Sequence, residues 1–183
     1  IKSQGNIDEV NAANSTFAYV KCTNLDAHNY AGNHFTMFVS KGWNNSSNAN
    51  IDIRFRVTTT QLSTYGYASF YVRLRDSSTT NLGDKSGWDL TPVPQILESQ
   101  WYYVGFTTDG QSGSDVNMYL NGVNVGSFTL SGERTPTTNQ PLVFSSDSWS
   151  RNFGMPGSNR NYHAYSRELS DAEVLQNYNA IKL

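Results

Sequence analysis

A chain of 183 residues with 37% hydrophobic, 13% aromatic and only 15% charged residues carries too much apolar content for disorder and enough for one core. Its formal charge of −2 offers no field to gather a phosphate backbone, which excludes nucleic acid as an expected partner. No run approaches the roughly 18 apolar residues of a membrane span, and "IKSQGNIDEV" lacks both the basic and the apolar region of a secretory signal, so membrane insertion is not expected. The start at Ile1 suits a mature fragment or a piece of a longer polypeptide.

In chain order, "FAYVKC" reads first as a strand, with Cys22 alternating with Val20 as a small buried hydrophobe. A sole cysteine excludes an internal disulfide and a Cys-rich metal site. "HFTMFVS" offers Phe35, Met37 and Val39 as one face. In "IDIRFRVT", Ile51, Ile53, Phe55 and Val57 point one way and Asp52, Arg54, Arg56 and Thr58 the other, the period-2 pattern of a strand with one outward face. "FYVRLR" repeats it, Phe70, Val72 and Leu74 inward, Tyr71, Arg73 and Arg75 outward. "WYYVGF" begins a core strand at Trp101, with Tyr102, Val104 and Phe106 inward.

"VNMYLNGVNVGSFTL" is a hairpin: Val116, Met118 and Leu120 inward, Asn117 and Tyr119 outward, Asn121-Gly122 as a type I′ turn, and Val123 and Val125 returning. The phase then moves to Phe128 and Leu130, which places a bulge at Gly126. "GWNNSSNAN" and "RDSSTTNLGDKSG" are polar loops inside a single domain over residues 1–183, of which 1–14 is linker-like. Strands at this spacing predict an all-β fold, two antiparallel sheets in a sandwich. At the end, "LSDAEVLQNYNAI" carries a capping box of Ser170 and Glu173 and a staple of Leu169 and Val174; Val174, Leu175, Tyr178 and Ile181 form one helical face. About three turns are marginal alone in water, so this helix must dock on the sandwich.

Trp101-Tyr102-Tyr103-Val104, Asp109-Gly110, Met118-Tyr119-Leu120-Asn121-Gly122 and Tyr165-Ser166-Arg167-Glu168-Leu169-Ser170 ahead of the capped helix follow one another in an order that resembles the C-terminal half of laminin G-like domains of the concanavalin A-like lectin/glucanase superfamily. The resemblance covers residues 95–183; residues 15–94 agree by strand pattern. It implies a concanavalin A-like jelly roll, a fold whose members recognise glycans or proteins, in some cases with calcium, and in others cleave polysaccharides. Where family members often carry an acidic "IDEV"-like segment before the last strand, this chain has Asn159, Arg160, Asn161 and Tyr162. Fold by itself does not choose a function.

Glycoside hydrolysis needs two carboxylates about 5–9.5 Å apart across a cleft. Glu9, Glu98, Glu133, Glu168 and Glu173 are solitary or committed to the helix cap. Tyr162-His163 resembles part of a lyase set, but no Gln-x-His accompanies it, and no Ser/His/Asp arrangement is visible. The chain is expected not to be an enzyme, with polysaccharide cleavage the weakest alternative. For a metal, "TDGQSGSDVN" gathers Asp109, Asp115 and Asn117, oxygen ligands suited to Ca2+, although Asp-Gly also simply makes a turn.

Two features point to a ligand. Pairing of the two arginine-bearing strands makes one patch of Arg54, Arg56, Tyr71, Arg73 and Arg75, whose guanidinium forks match carboxylates or sulfates and whose Tyr ring can stack on sugar. A solvated face or a subunit contact would look the same. Trp43 and Trp149 sit in polar loops, where an indole either stacks on a sugar or folds back on the core; Trp88 in "SGWDL" is more strand-like and is assigned to the core. The first reading is a carbohydrate-recognition module, its partner a glycan such as an acidic polysaccharide. The alternative is a structural or adhesion domain of a viral capsid, fibre or other assembly, binding protein subunits. Both place the chain outside the cell, at a cell surface or on a virion.

Overall fold

The computed structural model describes residues 14–26, 29–30, 32–41, 50–75, 80–134, 142–144 and 156–182. Its strands are β1 (Asn14–Cys22), β2 (Asn29–Tyr30), β3 (Asn33–Lys41), β4 (Asn50–Thr58), β5 (Ser69–Arg75), β6 (Asn81–Ser86), β7 (Trp101–Thr108), β8 (Asp115–Leu120), β9 (Val123–Thr129), β10 (Leu142–Phe144) and β11 (Gly157–Tyr165), with helices α1 (Thr59–Tyr65) and α2 (Asp171–Ile181). They form two antiparallel sheets, one ordered β11-β1-β7-β8-β9 and a six-stranded one ordered β10-β3-β4-β5-β6, to which β2 adds beside β3. This is the sandwich that the alternating pattern predicts.

Apolar residues of alternate positions meet between the sheets: Ile51, Ile53, Phe55 and Val57 of β4 and Phe70, Val72 and Leu74 of β5 face Val104 and Phe106 of β7 and Val116 and Met118 of β8, all buried. Asn121 and Gly122 take φ of 52° and 81°, as a type I′ turn requires. The register between β8 and β9 shifts between Met118, opposite Gly126, and Tyr119, opposite Asn124, so the expected bulge is there. Beyond the turn, Val123 stands exposed instead of returning inward, while Val125 is partly buried.

A second buried cluster lies on the outer side of the five-stranded sheet, where Phe17, Tyr103 and Tyr119 receive Leu169 and Val174. Phe17 stacks on Tyr103 with centroids 5.0 Å apart. The capping box is complete: Ser170 accepts from the Glu173 backbone and the Glu173 carboxylate accepts from the Ser170 N–H. Glu173 is also held at 2.6 Å by Arg167, and that hydrogen bond, with those from Ser170, lowers its pKa to about 2. The docked stripe is Val174, Tyr178 and Ile181, at i, i+4 and i+7; Leu175, expected on it, is 44% exposed because it is turned one residue's rotation, about 100°, from Val174.

Three further side chains find surroundings that alternation does not report. Tyr119 does leave the sandwich interior, but α2 covers it, and its hydroxyl donates to Asp171 at 2.6 Å. Trp101 begins β7 as expected and, on its outward side, packs with the outer cluster, stacked on Tyr19 at 5.1 Å with the Arg160 guanidinium 4.2 Å from its ring centroid. Trp88 lies in a 3₁₀ turn, Gly87–Asp89, and is only partly buried against the core.

Candidate carbohydrate-binding face

Antiparallel pairing of β4 with β5 sets Arg54 opposite Tyr71, Asp52 opposite Arg73 and Asn50 opposite Arg75. Pairing of β5 with β6 then sets Arg73 opposite Asp84. The patch expected from sequence therefore assembles on the face of the six-stranded sheet away from the core, and it acquires two carboxylates, Asp52 and Asp84. Guanidiniums of Arg54, Arg73 and Arg56 stand 4.5, 5.1 and 5.7 Å from the Tyr71 ring centroid. Arg54 approaches Asp52 at 3.5 Å, and Arg73 approaches Asp84 at 3.6 Å.

The face is not the open surface that the alternation suggests. Asp52 is fully buried, Tyr71 is 2% exposed and Arg54 6%, whereas Arg56, Arg73 and Arg75 keep partial exposure. With cations this close to its ring, Tyr71 is an anchor for guanidiniums by cation–π attraction, not the sugar-stacking ring expected of it. Burial raises the Asp52 pKa, opposed by Arg54, Arg73 and Arg75; burial likewise raises that of Tyr71, opposed by Arg73 and Arg54. Asp52 and Tyr71 make a charged floor, and Arg73 and Arg75 its reachable side.

Among the described residues, both carboxylate oxygens of Asp52, the Tyr71 hydroxyl and the Nε atoms of Arg73 and Arg75 are buried without a hydrogen bond, although Asp52 Oδ2 and Arg73 Nε take part in ion pairs. Buried polar atoms are nearly always paired, and each unpaired one costs about 1–3 kcal/mol. On this face ion pairs stand in part for hydrogen bonds, Arg54 with Asp52 and Arg73 with Asp84.

The oxygen atoms expected to suit Ca2+ each accept a hydrogen bond from a different partner. Asp109 Oδ1 accepts from the Gln111 N–H at 2.9 Å, Asp115 Oδ1 from the Thr129 hydroxyl at 3.0 Å, and Asn117 Oδ1 from Asn124 Nδ2 at 3.3 Å. The carbonyl of Gly110 accepts from the Arg134 N–H at 2.9 Å. Among the described residues no group of three or more His, Cys, Asp or Glu side chains gathers as a metal site. Glu168, read from sequence as solitary or committed to the cap, instead meets Asn117 and Thr107; burial, with Asp109 nearby, raises its pKa. His163 lies on the other sheet, its Nδ1 3.0 Å from the Tyr103 hydroxyl, and burial lowers its pKa. Trp43 and Trp149 fall outside the described residues.

Sequence reasoning also passed over an aromatic group at one end of the six-stranded sheet, Tyr65, Tyr67 and Trp88. The signal was present in "STYGYA", where a glycine separates two tyrosines after a Thr58-x-x-Gln61 capping box that starts α1.

Two antiparallel sheets packed as a sandwich with a docked C-terminal helix define a concanavalin A-like class of domain. The chain belongs to the laminin G-type family of the concanavalin A-like lectin/glucanases superfamily, whose model matches residues 8–175. No curated protein matches the sequence. Among solved structures, the native heptameric SAP-like pentraxin of Limulus polyphemus is similar with a TM-score of 0.63 at 13% identity, over 90% of this chain and 68% of that one. Domain 4 of AbnA, a GH43 extracellular arabinanase from Geobacillus stearothermophilus in complex with arabinotriose, is similar with a TM-score of 0.60 at 18% identity, over 93% of this chain and 69% of that one. The botulinum neurotoxin serotype D ligand binding domain in complex with N-acetylneuraminic acid reaches a TM-score of 0.60 at 13% identity, over 97% of this chain but only 38% of the toxin domain. At such identities the likeness is one of fold.

Proposed function

We propose that this chain is a non-catalytic carbohydrate-recognition module of a surface, secreted or virion protein, and that an acidic glycan meets it on the arginine face of the six-stranded sheet. The observation that carries the reading is the gathering of Arg54, Arg56, Arg73 and Arg75 on one sheet face, where four guanidiniums outnumber the carboxylates of Asp52 and Asp84. A carboxylate or sulfate is the group that such forks hold in two parallel hydrogen bonds. Partial exposure of Arg73 and Arg75 gives access, and the Tyr71 floor limits their freedom, which lowers the entropy lost on binding. Membership of a lectin/glucanase superfamily, and neighbours solved with arabinotriose and N-acetylneuraminic acid, support a sugar ligand.

A broad glycan array, run with and without calcium, tests this with Arg73→Gln and Arg75→Gln beside the parent. Retention of carboxylated or sulfated glycans by the parent and a loss of at least about tenfold in each variant, a change of about 1.4 kcal/mol, is the expected result. Equal retention by parent and variants refutes the arginine face. Absence of any glycan binding, together with a defined oligomer by light scattering, makes the same face a protein contact in a larger assembly. Release of reducing ends from mixed polysaccharides refutes the non-catalytic part.

A further inference from the structure

We propose that Tyr65, Tyr67 and Trp88 form a stacking platform for one pyranose ring of a bound glycan, a contact separate from the arginine face; the proposal rests on the carbohydrate reading above. Tyr67 and Trp88 are parallel to within 10° at 5.2 Å, and Tyr65 leans on both at 5.8 and 5.7 Å. The Trp88 indole N–H donates to the Arg56 carbonyl at 3.0 Å, which fixes the ring at the end of β4, beyond the arginine row. Tyr65 is the outermost of the three and 56% exposed.

Packing on Tyr67 and Trp88 leaves Tyr65 more than half exposed. The helix that carries it, α1, has no buried residue, yet both ends are finished: Thr58 and Gln61 form a reciprocal capping box, and Gly66, at φ 72°, donates its N–H to the Leu62 carbonyl at 2.9 Å. Leu62 packs α1 partly against the core, and the helix, held at both ends, finishes on Tyr65 and presents its ring outward. Aromatic faces carry negative charge, which attracts the weakly positive C–H bonds on one face of a pyranose. The Tyr hydroxyls and the exposed carboxylate of Asp89 stand ready for sugar hydroxyls. Three rings with polar rims suit one sugar unit; a stable protein dimer needs about 800 Å² per partner, much of it apolar at the centre.

The test uses the intact chain with Tyr65→Ala, Tyr65→Phe and Arg73→Gln on the glycan array, and follows glycans retained by the parent by titration. Tyr65→Ala is expected to weaken them about three- to tenfold with an unchanged melting temperature, whereas Tyr65→Phe keeps the ring and the affinity. If Arg73→Gln loses binding and Tyr65→Ala does not, the platform is refuted while the carbohydrate reading stands. If the parent retains no glycan, both fall. Concentration-dependent self-association that Tyr65→Ala abolishes, with glycan binding unaltered, also overturns the platform.

Discussion

Removal of one hydroxyl, Tyr119→Phe, tests how the terminal helix is held. The hydroxyl donates to Asp171 Oδ1 at 2.6 Å and lies 3.5 Å from the Thr107 hydroxyl, while its ring is buried between Phe17 and the helix. Burial, reinforced by the bond to Asp171, pushes the Tyr119 pKa up to about 12, so the protonated donor is the form the fold holds. A hydrogen bond to a charged group is worth about 1.5–3 kcal/mol, and the exposure of Asp171, which regains water when released, favours the lower end. A loss of about 1.5 kcal/mol in a domain of this size lowers Tm by about 3–6 °C. Scanning calorimetry of the parent, Tyr119→Phe, Asp171→Asn and the double variant checks the figure and the coupling between the two residues. A double variant whose loss equals the sum of the singles, or a Tyr119→Phe chain that melts with the parent, refutes the reasoning.

Two other outcomes follow from the same outer layer. Gly105 pairs with Phe17 on one side and Tyr119 on the other, and a Cβ there would overlap the Thr16 carbonyl and the Phe17 ring; Gly105→Ala should cost at least about 2 kcal/mol by denaturant titration, and near-parent stability would mean that the sheets yield more than packed interiors do. Glu173 titrates near 2 in the fold against 4.5 ordinarily, so its stabilisation is complete above 4.5 and lost as pH falls through 2; Glu173→Gln should flatten that part of the curve of Tm against pH, and an unaltered acid limb would rule the cap out as its source.

Local pattern alone determined much of this molecule. A strict two-residue period in "IDIRFRVT" and "FYVRLR" told which residues enter the core, Asn121-Gly122 told the turn, and Ser170 with Glu173 told where the last helix starts. These signals are legible because each depends on residues within a few positions of one another. Alternation reports only that a side chain leaves the core, however; it does not report what lies on the far side. Tyr119 leaves the core and is buried again by a helix some fifty residues later, and Asp52 and Tyr71 leave it into a floor of arginines that only cross-strand pairing brings together. Likewise Asp109, Asp115 and Asn117 share a loop in sequence but turn to different partners, and Trp88 meets Tyr65 and Tyr67 only because β6 ends beside the start of β5. Exposure, charge balance and ring-to-ring contact are sums over neighbours from distant segments, and for that reason tertiary structure, not the chain's local code, decided which residues offer themselves to a ligand.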